Sequence, residues 1–330
     1  MEKEERMEQG LGQWDPTNQQ EWLRLAGKES LPPAIIAVAI TGGMQGKEIN
    51  PNHPESAEEQ AEQTAECYKL GASMVHVHAR NPERLSETTP DPAVYRNVNA
   101  LIREKCPEII INNTTGGGLG VYDEEGRMAS IKANPEVCSL DMGPLVFRSV
   151  LKKRPPPLSG PRDEDFPIEG CSSATFAETE NFSKAMLEAG IKPEMEVWHT
   201  GQLWLVHNLI EQGLVKPPYM IQFVLQFQGG AYATPKELIH LLDMAPQPSV
   251  FFCMAVGLLE ALTVAQGLIL GINVRVGMED TVLYKHRELC TCNAQLVDHA
   301  VRIARELNRE IATPKQARQM LGLSEKPSQY

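Results

Sequence analysis

Short apolar runs recur along the chain, and most are followed by turn residues and then by a helical pattern. Runs rich in β-forming residues that alternate with helices are typical of βα units on a parallel sheet. Eight such pairs favour a (β/α)8 TIM barrel, an α/β fold, and a doubly wound open sheet is the alternative. The eight runs span residues 34–40, 73–78, 108–112, 136–142, 194–198, 219–227, 249–256 and 272–278.

Helical periodicity is clearest between Pro54 and Gly71, where small residues fall on one face and glutamates on another. Gly71 is predicted to end this helix as a C-cap. The other predicted helices span residues 93–105, 123–132, 177–189, 201–212, 235–243, 258–269 and 291–308.

Two segments fall outside this alternation. Residues 1–32 form a polar N-terminal extension, which leaves residues 33–330 for the barrel domain. Residues 152–176 are rich in proline and charge and follow the predicted fourth strand. Loops after barrel strands lie on the catalytic face, so this insertion is predicted to be a loop that serves as a lid or an oligomer contact.

Charge and composition narrow the class of protein. The chain has 31 Lys and Arg against 43 Asp and Glu, a net charge of −12, which argues against nucleic acid as a partner. The seven cysteines are too sparse and odd in number for a disulfide framework. Residues 249–274 are long enough to span a bilayer, but Glu260 and several glycines favour a buried strand, helix and strand. A cytoplasmic protein without a membrane segment is expected.

His76 and His78 share one face of the second predicted strand, because side chains alternate along a strand. Two imidazoles at this spacing can clamp one metal ion, and catalytic zinc sites commonly use three protein ligands. An ordinary hydrogen-bonded histidine pair is the alternative. Five other histidines are expected to be surface or capping groups: His53, His207, His240, His286 and His299.

Charged side chains also end the eighth run, which reads NVRVGMED. One interpretation is an ion pair from Arg275 to Glu279 or Asp280 that braces the barrel. The other makes Glu279 the third metal ligand and Asp280 a general base, with Arg275 keeping the aspartate charged.

Polar side chains follow the third run, and a glycine cluster comes next. Thr114 and Thr115 offer hydroxyl groups to an anion, and Gly116 and Gly117 free the backbone for close approach to a ligand. A plain βα turn is the alternative. No nucleotide-binding glycine motif is present in the sequence.

The fourth and fifth runs carry inward polar residues, which are unusual in a packed barrel core and indicate walls of a site. They are Ser139 and Asp141 on the fourth, and Glu194, Glu196 and Trp198 on the fifth.

The ordered motifs AVAITGG, GASMVHVHAR, NNTTGGG, PEVCSLDMG, PEMEVWHTG and VRVGMED resemble those of the β-keto acid cleavage enzymes, over roughly residues 34–310. The resemblance implies a zinc-dependent TIM barrel and an acyltransferase reaction. A β-keto acid and acetyl-CoA, the co-substrate, would be converted to acetoacetate and a new acyl-CoA.

The resemblance also implies roles for individual residues. His76, His78 and Glu279 would bind zinc, while Asp280 and Arg275 would be the base and its partner. Further residues would contact the substrate: Thr114, Ser139, Glu196, Met44, Gly116 and Gly117.

Met44 departs from the family pattern. Members that act on an amino-bearing substrate have an acidic residue at this place, and an uncharged methionine cannot pair with an ammonium group. The substrate is therefore expected to have a neutral or anionic side chain.

Two other functions compete with this one. A metal-dependent hydrolase or lyase on the same barrel would act without CoA, and a non-catalytic binding protein would keep the pocket without turnover. A homo-oligomer is expected, as a dimer or a tetramer.

Overall fold

The computed structural model describes residues 14–28, 30–121, 123–172 and 174–330. Within these residues eight parallel strands close a barrel, each beside the barrel strands that precede and follow it in the sequence. The predicted fold is therefore confirmed. The barrel strands are β1 (Ile36–Ala39), β2 (Met74–Val77), β5 (Ile110–Asn113), β6 (Val137–Asp141), β9 (Lys192–Val197), β10 (Tyr219–Leu225), β11 (Ser249–Ala255) and β12 (Asn273–Val276).

Helices cover the outside of the barrel. Their bounds are α1 (Gln19–Lys28), α2 (Ala57–Leu70), α3 (Pro92–Lys105), α4 (Glu124–Arg127), α5 (Ala129–Lys132), α6 (Phe176–Ala189), α7 (Leu203–Glu211), α8 (Pro235–Met244), α9 (Glu260–Leu270), α10 (Asn293–Glu306) and α11 (Pro314–Leu321). Short 3₁₀ helices precede α7 and α9, at Thr200–Gln202 and Gly257–Leu259.

Helix α2 shows how local signals set the boundaries. Ser56 caps its first turn, and Glu59 completes a capping box. The helix ends at Gly71, whose φ of 117° lies in the left-handed region, and the Gly71 N–H donates to the carbonyls of Cys67 and Tyr68. Gly71 is thus the predicted C-cap.

Alternation along the strands divides the core into two layers. Ile36 and Val38 of β1 pack outward under the helices, whereas Ile35 and Ala37 point into the barrel. The inner layer includes Met74 and is closed at one end by α11. On β2 the next inward position after Met74 is His76, so a polar layer begins directly above an apolar floor.

In the part of the chain that the structure describes, three antiparallel hairpins follow the carboxyl ends of barrel strands: β3 (Arg80–Asn81) with β4 (Arg84–Thr88), β7 (Val146–Leu151) with β8 (Phe166–Cys171), and β13 (Leu283–Lys285) with β14 (Glu288–Leu289). The predicted loop at 152–176 is wrong in its bounds and conformation, since the insertion begins with β7 and returns through β8. Val146 pairs with Cys171, and Leu151 pairs with Phe166. These partners are distant in sequence, so local pattern alone did not reveal the hairpin.

The predicted N-terminal extension contains α1, and residues 1–13 lie outside the described residues. The Trp22 indole N–H donates to the Ile269 carbonyl at 3.1 Å, which fastens α1 to the end of α9. Residues 249–274 form β11, the second 3₁₀ helix, α9 and the start of β12, as the glycines indicated. None of the described helices combines the length and apolarity needed to cross a bilayer.

Candidate active site

Three possible metal ligands converge inside the carboxyl end of the barrel. Glu279 Oε1 lies 3.3 Å from His78 Nε2 and 3.7 Å from His76 Nε2. One ligand atom from each residue lies within 4.8 Å of the other two. His76 of β2 and His78 just after it therefore meet a carboxylate that comes from the opposite end of the chain.

Close backbone packing places the Glu279 side chain here. Gly277 has φ +148°, and a Cβ at this position would collide with the Ala39 carbonyl oxygen. A Cβ at Gly42 would lie 2.8 Å from Glu279 Cγ. The Gln45 amide donates to the carbonyl oxygens of Met278 and Glu279, at 2.7 and 2.9 Å. The turns after β1 and β12 thus hold each other in place.

Unsatisfied polar atoms test whether this cluster suits a cation. Glu279 Oε2 and His76 Nδ1 are buried, and neither has a hydrogen-bond partner among the described residues. Buried polar atoms normally form hydrogen bonds, so an unpaired carboxylate oxygen beside two imidazoles indicates a cation-binding site. Two histidines and a glutamate form a donor set that suits zinc. The residues present fit a divalent cation.

The pKa shifts of His76 and Glu279 favour the protonation states that bind metal ions. Burial is the largest cause that holds the pKa of His76 well below its ordinary value, so this imidazole is neutral. Burial by itself would raise the pKa of Glu279, but His78 and Arg275 hold it well below its ordinary value. A neutral imidazole and an ionised carboxylate are the forms that bind metal ions.

His78 has a second contact that sets its tautomer. His78 Nδ1 lies 3.2 Å from the Gly117 carbonyl oxygen, which can only accept a hydrogen bond. A proton on Nδ1 leaves Nε2 with its lone pair toward Glu279. Metal-binding histidines commonly donate their other ring N–H in this way.

Arg275 is the hub of a buried charge network on β12. Its Nε and one terminal nitrogen donate to both carboxylate oxygens of Asp280, at 3.0 and 2.9 Å. It also donates to Glu279 Oε1 at 2.7 Å and to Glu196 Oε1 at 3.1 Å. Arg275 therefore forms the ion pairs with Glu279 and Asp280 that the structural interpretation predicted. The same contacts are compatible with Glu279 as a metal ligand and Asp280 as a base.

Asp280 has a raised pKa although Arg275 favours its charged form. Burial raises the pKa of Asp280 to about 6, and although Arg275 lowers it, Glu279 pushes it up again. The carboxylate of Asp280 is thus a stronger base than an exposed aspartate.

A second group of carboxyls lines the wall next to Arg275. The Trp198 indole donates to Asp141 at 3.1 Å, and Asn112 donates to Glu194 Oε2 at 2.5 Å. Burial, followed by the charges of Asp141 and Glu194, raises the pKa of Glu196 well above its ordinary value, against the effect of Arg275. Glu196 therefore lies inside the site, as the alternation predicted, and favours its protonated form.

The threonine and glycine segment borders the metal ligands. Thr114 Oγ1 accepts from the Gly116 N–H at 2.9 Å, and Ser139 Oγ accepts from the Thr115 N–H at 3.3 Å. Neither hydroxyl of Thr114 or Ser139 donates to an acceptor in the part of the chain that the structure describes. Both therefore retain a donor for a ligand.

The structure also places Met44 and His53. Met44 is 37% exposed in the loop between β1 and α2, next to Gln45 but outside the charge network. His53 is fully buried, so the prediction of a surface or capping group is wrong. Its Nε2 lies 2.6 Å from the Thr41 carbonyl oxygen, and burial lowers its pKa to about 4.

Sequence reasoning assigned no role to Gln45 or Arg80. Arg80 is buried and donates to the carbonyl oxygens of Gln45 and Thr41, at 2.6 and 3.3 Å, which fixes the loop that reaches Glu279. The sequence signal for Arg80 is its place two residues after His78, because residues 76, 78 and 80 of an extended chain lie on the same face. Nothing local marks Gln45.

Residues 33–323 match the model of a family described as beta-keto acid cleavage enzyme. The 3-keto-5-aminohexanoate cleavage enzyme of Fusobacterium nucleatum subsp. nucleatum is 36% identical over 289 residues, which cover 88% of this chain and 97% of that protein. The 3-oxoadipate:acetyl-CoA acetyltransferase of Cupriavidus necator is 30% identical over 295 residues, with 88% and 95% covered. A solved complex of ObcA with oxaloacetate has a TM-score of 0.65 at 16% identity, covers 83% of this chain and 68% of its own, and shares the fold.

Proposed function

Because the chain belongs to the beta-keto acid cleavage enzyme family, we propose that it transfers an acyl group between a β-keto acid and acetyl-CoA. The products are acetoacetate and a new acyl-CoA. The observation that carries this proposal is the position of Asp280, a buried carboxylate gripped by Arg275 beside the His76, His78 and Glu279 cluster. The names of the relatives support both the β-keto acid and acetyl-CoA.

His76, His78 and Glu279 are the residues that would hold the cation, and we propose zinc on the basis of the donor set. When bound, such an ion supplies Lewis-acid polarisation of the keto acid's oxygens. The chain's own contribution is to present two imidazoles, of which His76 is held neutral by burial, and one ionised carboxylate in a buried cluster.

Asp280 is proposed to take a proton from the carbon between the ketone and the carboxylate. A carboxylate with a pKa of about 6 is better matched to this task than an exposed aspartate. Arg275 holds both oxygens of Asp280, so the base cannot rotate away from its target. Arg275 also offsets the negative charge of the neighbouring Glu279.

The carbanion attacks the acetyl carbonyl carbon of acetyl-CoA, and the thiolate of CoA leaves. That thiolate then attacks the original ketone carbon, and the bond between this carbon and the former C2 breaks. The proton held on Asp280 returns to C2, which releases acetoacetate. Atoms and electrons balance without a covalent intermediate on the enzyme.

The substrate carboxylate is proposed to lie between Thr114 and Ser139, whose hydroxyls each accept a backbone N–H and keep an O–H to donate. Gly116 and Gly117 allow this approach because they carry no side chain. Met44 and the walls that include Glu196 would surround the rest of the substrate, and its side chain is proposed to be neutral or anionic.

We further propose a cytoplasmic homo-oligomer, either a dimer or a tetramer. The free thiol of the exposed Cys171 suits a reducing compartment. The exposed apolar side chains Val146, Val150 and Phe166 on the β7–β8 hairpin suit a subunit contact. Light scattering of the purified protein tests the assembly, and a monomer at micromolar concentration would contradict it.

Mass spectrometry of CoA esters tests the reaction. The zinc-loaded protein is incubated with acetyl-CoA and a panel of β-keto acids, beside Asp280→Asn and His76→Ala. A new acyl-CoA together with acetoacetate, lost in both variants while Asp280→Asn keeps its zinc, supports the proposal. Turnover of a keto acid without any CoA product would instead indicate a hydrolase or lyase.

A further inference from the structure

A cavity of about 280 Å³ lies where three loops meet. One side comes from the β3–β4 hairpin, another from the glycine segment after β5, and the third from the β7–β8 insertion. All three follow the carboxyl ends of barrel strands, so the cavity opens on the face where barrel enzymes bind substrates.

Hydrogen bonds and close packing hold the loops around the cavity together. Ser159 Oγ accepts from the Leu85 N–H at 3.1 Å and donates to the Glu83 carbonyl oxygen at 3.2 Å. A Cβ at Gly160 would collide with Ser86, so the insertion rests directly on the β3–β4 hairpin. The walls of the cavity are therefore held by contacts between elements and not by one mobile loop.

Two guanidinium groups face this cavity from different elements. Arg84 lies on β4 and is 57% exposed, while Arg162 lies in the insertion and is 21% exposed. Only Nε of Arg84 is hydrogen-bonded among the described residues, to Glu87 at 2.9 Å. Arg162 donates to the Lys152 carbonyl and lies 3.3 Å from Glu48. Arg84 thus keeps its terminal fork of donors for a ligand.

The cavity and the proposed metal cluster share one short segment of chain. Leu119 and Gly120 line the cavity, and Gly117, two residues earlier, accepts from His78 Nδ1. Thr88 at the end of β4 fixes this segment, because its N–H donates to the Leu119 carbonyl at 2.7 Å. Residues 117–120 therefore connect the cavity to the His78 side of the metal cluster.

We infer that this cavity binds the phosphate-bearing end of acetyl-CoA, with Arg84 and Arg162 as its anion contacts. The inference rests on the proposed function. The chain carries a net charge of −12, so an anionic co-substrate needs a local cluster of cations, and the arginine fork matches phosphate oxygens. The cavity volume is below the range of pockets for whole drug-sized ligands, so the cavity would hold one end of CoA. The acetyl arm would extend from the cavity toward the metal cluster.

Two thioesters separate this role from a general effect on catalysis. Acetyl-pantetheine carries the same thioester as acetyl-CoA but lacks the phosphates and adenine. Arg84→Ala and Arg162→Gln are each expected to raise KM for acetyl-CoA by about tenfold, with kcat and the KM for acetyl-pantetheine unchanged. Arg148→Ala, which removes an exposed arginine of the same insertion outside the cavity, is the matched control and is expected to leave both values unchanged.

Calorimetric titration with adenosine 3′,5′-bisphosphate needs no turnover and keeps the two proposals distinguishable. The wild-type protein is expected to bind it and Arg84→Ala to bind about tenfold more weakly. Equal binding by both, or none by the wild type, would overturn the inference even if acyl transfer occurs. If acyl transfer fails while binding depends on Arg84, the cavity stands and the proposed reaction falls.

A competing basic surface lies on the β13–β14 hairpin, where Lys285 and Arg287 are exposed. If Lys285→Ala or Arg287→Ala raised KM for acetyl-CoA and the Arg84 and Arg162 variants did not, the phosphates would belong to that hairpin and the inference would be wrong.

Discussion

Arg154 provides the sharpest test of how the insertion is attached to the barrel. Its side chain is 0% exposed, and two of its nitrogens bind both carboxylate oxygens of Glu55 at 2.8 Å. It also forms an ion pair with Glu48, and its Nε donates to the Ser159 carbonyl at 2.7 Å. One buried cation thus joins the insertion to the loop between β1 and α2.

Arg154→Ala removes both hydrogen bonds from the guanidinium to the buried Glu55 carboxylate and leaves Arg80 as a cation that acts on Glu55 through its charge alone. Glu48 retains Arg162 at 3.3 Å, whereas the Lys47 N–H is the hydrogen bond that Glu55 retains among the described residues. Breaking one partner of a buried ion pair costs about 3–5 kcal/mol. We therefore expect the free energy of unfolding to fall by about 3–5 kcal/mol, which is a large share of the stability of a typical domain.

Urea unfolding followed by circular dichroism at pH 7 measures this loss from the midpoint and the slope. Arg148→Ala is the control, since Arg148 and Glu169 form a pair on the same insertion with side chains 73% and 67% exposed. Its cost is expected to be at most about 1 kcal/mol.

A third variant checks the cause. Arg154→Met combined with Glu55→Gln removes the uncompensated charge together with the cation, so it is expected to recover part of the stability lost in Arg154→Ala. If Arg154→Ala costs no more than the Arg148→Ala control, the buried network does not hold the insertion and the reasoning is refuted.

Three further predictions concern Glu279, Glu55 and Met44. Glu279→Gln removes a proposed metal ligand, so it is expected to weaken zinc binding by more than the roughly 10–100-fold that loss of a residue hydrogen-bonded to a ligand costs. Competition with a chelator measures the affinity, and an unchanged value would exclude Glu279 from the metal site. Hydrogen bonds from Arg154 and Lys47 hold the pKa of Glu55 below 4.5 despite burial, so its stabilising effect is present above about pH 4.5 and is lost as the pH falls through the folded pKa. The stability gap between wild type and Arg154→Ala should therefore narrow below pH 4.5 in urea titrations, and a constant gap would contradict this assignment. Met44→Glu is expected to shift kcat/KM toward β-keto acids that carry an ammonium group, and an unchanged preference would exclude Met44 from the specificity pocket.

The periodicity of the sequence determined the barrel and much of its site. Strand alternation placed His76 above Met74 and Glu196 inside the barrel, because successive side chains of a strand must point to opposite faces. Helix ends such as Gly71 could also be predicted, since a left-handed C-cap favours a residue without a Cβ. These features depend on neighbours within a few positions.

Contacts between distant segments were decided only by the tertiary structure. The β7–β8 hairpin, the burial of His53 and the grip of Arg154 on Glu55 each join residues through space, and no local pattern marks the partner. The raised pKa of Asp280 belongs here too, because burial outweighs the adjacent Arg275. Sequence spacing can place a side chain on a face, but the desolvation and the partners that set its energy arise only when the folded chain excludes water around it.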